Sequence, residues 1–237
     1  LLNTHIKLLD QPNTYAIVAG DIFDAMQGKF DPRRSYSDLR PEYKVPDYYD
    51  AIVNDVRNFV RPYCKKILVL GKGQHDLGAL THANTDLISR VLEGLPEKIT
   101  QIGYFSGFVK IIFAFSGTSK RTFTIYYSHG GGTNSPVTRG TIQTNRQAVY
   151  LPDADVVHNG HNHQGYILPI QRARLMRDNT IKTDTQWHCR TPGYKTGTFV
   201  GDSWEAQKSF GPNPNGSIML NLTLQTLGHG TRKIVTT

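Results

Sequence analysis

Only two cysteines occur in 237 residues, Cys64 and Cys189. They are too few for a disulfide framework, so the chain reads as a protein of a reducing compartment, the cytoplasm. No apolar run approaches the roughly 20 residues that a membrane-spanning helix needs, and no signal-peptide pattern opens the chain. A phosphate-loop signature, Gly-x₄-Gly-Lys-Ser/Thr, is missing, which argues against an NTPase. Gly-x-Ser-x-Gly is missing too, so the run His129-Gly130-Gly131-Gly132 lacks the nucleophile elbow of a lipase-like hydrolase. Acidic residues are in deficit, 19 Asp+Glu against 27 Lys+Arg, a formal charge of +8. That excess suits a phosphate-bearing partner or a merely solvated basic surface. An initiating Met is also absent, since the chain opens Leu1-Leu2-Asn3-Thr4.

What is present suffices for a folded core. Hydrophobic residues make up 38% of the chain, too many for disorder, and the length suits one domain over residues 1–237. Residues 1–9 read as the end of an amphipathic helix stopped by Pro12 and Asn13. Tyr15–Ala19 and Ile67–Leu70 read as fully buried strands. From Pro46 to Tyr63 apolar residues recur at helical spacing and predict a helix with one buried stripe. Residues 84–95 predict another, and residues 27–45 a loop. After residue 100 the texture turns to β: Val109–Phe115, Thr122–Tyr127, Asp155–Val157, Gly165–Ile170, Tyr194–Val200 and Ser217–Gln225, with a short helix near 139–149. Two stacked sheets with helices outside are expected.

Four segments place Asp, amide or His side chains just after predicted buried strands: Gly20-Asp21, Gly73-Gln74-His75-Asp76, Ser128-His129-Gly130 and Gly160-His161-Asn162-His163. Ligands gather at such strand ends in α/β sheets. His161 and His163, two apart, would point to one side of an extended segment. A mixed Asp/His set suits a borderline transition metal such as Mn, Fe, Ni or Zn, rather than Mg or Ca.

In this order the motifs resemble those of the calcineurin-like metallophosphoesterases, over roughly residues 15–170. The resemblance implies an α/β fold, a four-layer α/β/β/α sandwich of two mixed sheets. It also implies a centre of two divalent transition metal ions, manganese first, with Fe, Ni or Zn as alternatives. Asp21 would bridge both ions; Gln74, His129 and His161 would hold one, and His163 the other. His75 would be the general acid to the leaving oxygen, with Asp76 orienting it, and Asp24 fits the family's pattern near the bridging residue. A hydroxide bridging two cations would attack phosphorus in line.

Two departures stand out. No Asp-x-His precedes Asp21, so the first strand and its ligands are expected upstream of Leu1. Gln74 also replaces the family's Asn, with an amide one methylene farther from the backbone. Together they motivate a rival reading, a non-catalytic binding or structural module with a degenerate metal site.

The substrate is expected to be a phosphodiester of nucleic acid or nucleotides, with a phosphomonoester of phosphoprotein or a small molecule as the alternative. Arg33, Arg34 and Arg40 fall in the loop after Asp21, interleaved with Tyr36, Tyr43, Tyr48 and Tyr49, which suit base stacking. Arg172, Arg174 and Arg177 form a second basic segment. The Pro/Gly/Asn-rich stretch before the last strand resembles tails of phage and bacterial members of the family.

Overall fold

In the computed structural model of the chain, the described residues are all except 28–30, 33–35, 38, 97–100, 115–119, 133–134, 136, 196–200, 202–203, 208–210, 228–229 and 237. The protein is mixed α/β and divides into two compact units: residues 3–106 form one, and residues 107–237 with Leu1 and Leu2 form the other. Among the described residues no helix is long and apolar enough to cross a membrane.

The chain begins with a short helix, α1 (Leu2–His5), and a 3-10 turn over Ile6–Asp10. The first unit then carries a parallel sheet in the order β1 (Ala16–Val18), β2 (Ile67–Leu70), β3 (Gln101–Ile102). The predicted helix from Pro46 is α2 (Tyr48–Val60), continued by a 3-10 turn over Arg61–Tyr63, where Pro62 ends the α-helical bonding. Its stripe buries Ile52, Val53 and Val60. These pack with Ile67 and Leu70 of β2 and with Leu87, Ile88 and Val91 of α4 (Leu87–Glu93). Asp86 caps α4 by accepting the Ser89 N–H at 3.1 Å, and Lys72 reaches the same carboxylate. A further helix, α3 (Gln74–Ala83), starts where the sequence shows only a glycine-rich turn.

The second unit is built on a five-stranded mixed sheet in the order β4, β5, β6, β8, β7. These are β4 (Ser106–Ala114), β5 (Lys120–Ser128), β6 (Val156–Asn159), β7 (Tyr166–Leu175) and β8 (Ile181–Arg190). Strands β5, β6 and β8 run parallel, and β7 returns antiparallel on β8. Helix α5 (Thr141–Tyr150) links β5 to β6, as a parallel pair requires a crossover. The sheet buries Phe123, Ile125, Tyr127, Val156 and Val157. After the short α6 (Trp204–Gln207), β9 (Asn221–Leu227) and β10 (Gly230–Thr236) form an antiparallel pair. Cys64 and Cys189 are buried and form no disulfide.

The predicted strand over Tyr194–Val200 is not borne out at Tyr194 and Lys195, which lie outside any strand; residues 196–200 fall outside the described residues. Strands β8 and β10 escape the sequence reading because Ile181–Arg190 and Gly230–Thr236 are polar and charged, and their apolar alternation is broken.

Candidate functional site

In the first unit, Val18 and Leu70 are register partners, so the loops after β1 and β2 leave the same edge of the sheet side by side. Their contact requires glycine on both sides. A β-carbon on Gly20, at φ +101, would sit 2.4 Å from the Gly73 nitrogen, and one on Gly73 would sit 2.1 Å from Asp21 Oδ1. Asp21 is itself left-handed, at φ +54, a conformation that Asp tolerates better than most residues.

Asp76 holds it there. This buried carboxylate accepts three backbone N–H groups, from Gly73 at 2.7 Å, Asp21 at 2.8 Å and Phe23 at 3.1 Å. In turn Asp21 Oδ1 accepts the His75 N–H at 2.9 Å. Burial pushes the Asp76 carboxyl up to about 6, further raised by the Asp21 charge and opposed by its backbone donors. Asp76 is also the third residue of α3 and reaches back to its capping Gly73, the carboxylate half of a capping box.

The His75 ring takes its hydrogen bond from elsewhere: Nδ1 lies 2.7 Å from Asp24 Oδ1. The ring-orienting part expected of Asp76 therefore falls to Asp24, while Asp76 fixes backbone. Gln74, at the first position of α3, is exposed.

In the second unit, Ser128 of β5 and Asn159 of β6 are register partners. His129 and the Gly160-His161 turn consequently emerge together. His129 is buried, and its Nε2 lies 3.2 Å from His161 Nδ1, the rings edge to face with centroids 5.2 Å apart. Two nitrogens bound to one ion at about 2.0–2.1 Å and the tetrahedral angle would stand about 3.3 Å apart. The pair thus matches two ligands of one ion.

His163 does not join them as the extended-segment reading supposes. His161 and His163 have φ of +71 and +54, so the segment is coiled and the two-residue alternation does not apply. The His163 ring turns instead to the Pro192 carbonyl, with Nδ1 at 2.9 Å from the oxygen. Among the described residues His163 belongs to no cluster of three or more metal-ligating side chains.

His158, in the same histidine-rich stretch, is a packing residue. Its Nε2 pairs with the Thr191 hydroxyl, and burial, with the charges of Arg190 and His129, lowers its pKa to about 4. Arg190 was not singled out by the sequence reading, since an arginine ending a polar strand resembles a surface residue. Its side chain is wholly buried. In the amide orientation that satisfies Asn162, Nη1 donates to the Asn162 oxygen at 2.8 Å and the amide donates to the Gly132 carbonyl at 3.3 Å. Arg190 thereby ties the His161 turn to the loop that follows His129.

Of the expected substrate arginines, Arg33 and Arg34 lie outside the described residues. Arg40 is exposed; its guanidinium stands 4.7 Å from the Tyr43 ring centroid and donates to the phenol at 2.9 Å. Arg172 and Arg174 are structural. Both clamp Asp184 and donate to the Pro152 carbonyl, and this clamp holds the Asp184 carboxyl below its ordinary range although burial would raise it.

No protein-family model, curated protein or solved structure matches this chain. The motif order and the local geometry are therefore what any functional reading rests on.

Proposed function

We propose that the chain is a hydrolase of phosphoesters that depends on divalent transition metal, acting on phosphodiesters of nucleic acid or nucleotides. The observation that carries this reading is the His129–His161 pair, held 3.2 Å apart at adjoining strand ends. The four-layer sandwich of two mixed sheets belongs to the same proposal.

The donor set fits the expected ions in part. His129 and His161 would hold one; His163 would serve a second. Bound there, a divalent transition metal supplies Lewis acidity and makes water a nucleophile near neutral pH. The chain's own residues do the remainder. His75 donates a proton to the departing oxygen through Nε2, because Nδ1 is taken by Asp24. Asp24 fixes the ring's tautomer and orientation. Asp76 keeps Asp21 and the start of α3 in place through backbone hydrogen bonds.

Hydrolysis of bis(4-nitrophenyl) phosphate after loading with Mn, Fe, Ni or Zn tests this. Metal-dependent turnover that is lost in His161→Ala is expected. A protein that retains no transition metal after loading sinks the proposal. The exposure of Gln74 favours a second reading, a binding module that keeps one ion and no turnover. One equivalent of bound metal with no hydrolysis would select it.

A further inference from the structure

A groove of about 490 Å³ lies within the first unit, lined among others by Gln27, Tyr36, Tyr43, Tyr48, Tyr49 and Arg90. Its volume falls in the range of small-molecule sites. Four tyrosines in one groove are unusual in kind as well as number. Tyr43, Tyr48 and Tyr49 lean against the hydrophobic core, yet among the described residues the buried Tyr49 hydroxyl has no hydrogen-bond partner. Burying a hydroxyl in this way is unfavourable unless something supplies the missing bond. Tyr36 is 64% exposed and offers a ring to the solvent side.

Cations stand over two of these rings. Arg40 lies 4.7 Å from the Tyr43 centroid and Lys44 lies 5.6 Å from that of Tyr36. A cation beside an aromatic platform is the arrangement that takes a base on the ring and a phosphate on the charge. Deeper in, Tyr48 and Tyr49 meet edge to face at 5.2 Å. At the far end Arg90 is held by Asp50 and by the Thr85 hydroxyl.

The groove and the proposed proton donor share helix α3. Burial, helped by Tyr49 and by the charge of Asp24, pushes the Tyr48 phenol up to about 12. His75 is the second residue of α3 and Ala83, which lines the groove, is its last, a rise of about 12 Å at 1.5 Å per residue.

We infer that this groove binds a nucleobase of a phosphodiester substrate, with Tyr36 as its stacking platform and Arg40 and Lys44 on the adjoining phosphate. The inference rests on the reading of the chain as a protein that takes phosphodiesters. It assigns the substrate class, a nucleic acid strand or nucleotide with an accessible base, over a phosphoprotein or a small aliphatic phosphoester.

Equilibrium binding separates the two readings, because it needs no turnover. The probes are a short oligothymidylate and an abasic oligomer of equal length and charge. The protein is expected to bind the base-bearing strand about tenfold more tightly, the scale of one or two stacked bases. Tyr36→Ala should reduce that preference to under about threefold, and Tyr36→Phe should keep it, since stacking needs the ring and not the hydroxyl. Tyr36 is exposed, and an unchanged melting temperature verifies that the variant is folded. Equal affinity of the unaltered protein for both strands would overturn the inference, whatever its activity on bis(4-nitrophenyl) phosphate. Base preference without hydrolysis would support the groove and remove the catalytic reading.

Discussion

Asp76 and Asp21 fasten one another: the Asp76 carboxylate accepts the Asp21 N–H at 2.8 Å, and the Asp21 carboxylate accepts the N–H of His75, the neighbour of Asp76, at 2.9 Å. The two loops are thus joined by side chain to backbone in both directions. Replacing Asp76 by Ala leaves three backbone N–H groups without their acceptor. Each such loss costs about 1–3 kcal/mol, so unfolding in urea should show a destabilisation of at least about 3 kcal/mol. Asp76→Asn keeps one acceptor oxygen and should lose distinctly less.

The His129–His161 pair predicts where metal affinity resides. His129→Ala and His161→Ala should each weaken binding of zinc or manganese by at least about tenfold, as removal of a direct ligand does at such sites. Gln74→Ala should change it less than threefold, roughly, because that side chain is exposed. Calorimetric titration of the metal-stripped protein measures both; a large loss in Gln74→Ala would return that residue to the ligand set.

His75 and Asp24 predict an effect on rate. His75→Ala should slow hydrolysis of an alkyl leaving group by about 10²–10⁴-fold, the usual range for a positioned acid, with metal content unchanged. Asp24→Asn should slow it less and move the acidic and basic limbs of the pH–rate profile. An unaltered profile in Asp24→Asn would show that Asp24 does not govern the ring.

His188 predicts a pH dependence of stability. It is wholly buried, and its Nε2 pairs with the Gln186 side-chain oxygen at 2.9 Å. Burial, and then Arg172, lowers its pKa to about 4. Between the ordinary value near 6.5 and about 4, the unfolded chain takes up a proton that the folded chain refuses. Stability is therefore full above that window and falls as pH is lowered through it, by about 1.4 kcal/mol per pH unit. Urea unfolding of the protein and of His188→Gln between about pH 7 and pH 5 checks this. The variant should show the shallower slope, and identical slopes would refute the assignment.

The strand ends were legible in the sequence for a physical reason. Ile67–Leu70 and Thr122–Tyr127 are short apolar runs closed by glycine or polar residues, and a run of that kind ends where its strand leaves the core. The stripe of α2 was equally plain. Helix α3 was not, because Gly73-Gln74-His75-Asp76 reads as a turn, and only the return of Asp76 to the Gly73 N–H reveals a helix start. The partner of His75 was hidden for a similar reason. Asp76 is adjacent in sequence, but a helix directs neighbouring side chains apart, and Asp24 arrives from a loop 51 residues away. The coiled backbone at His161 and His163 was illegible too, since neither is glycine.

The abutment of Gly20 on Gly73 sets the terms on which this chain can vary. A methyl group gained at either glycine would meet the other loop's backbone or the Asp21 carboxylate, so neither loop can change length or bulk without the other.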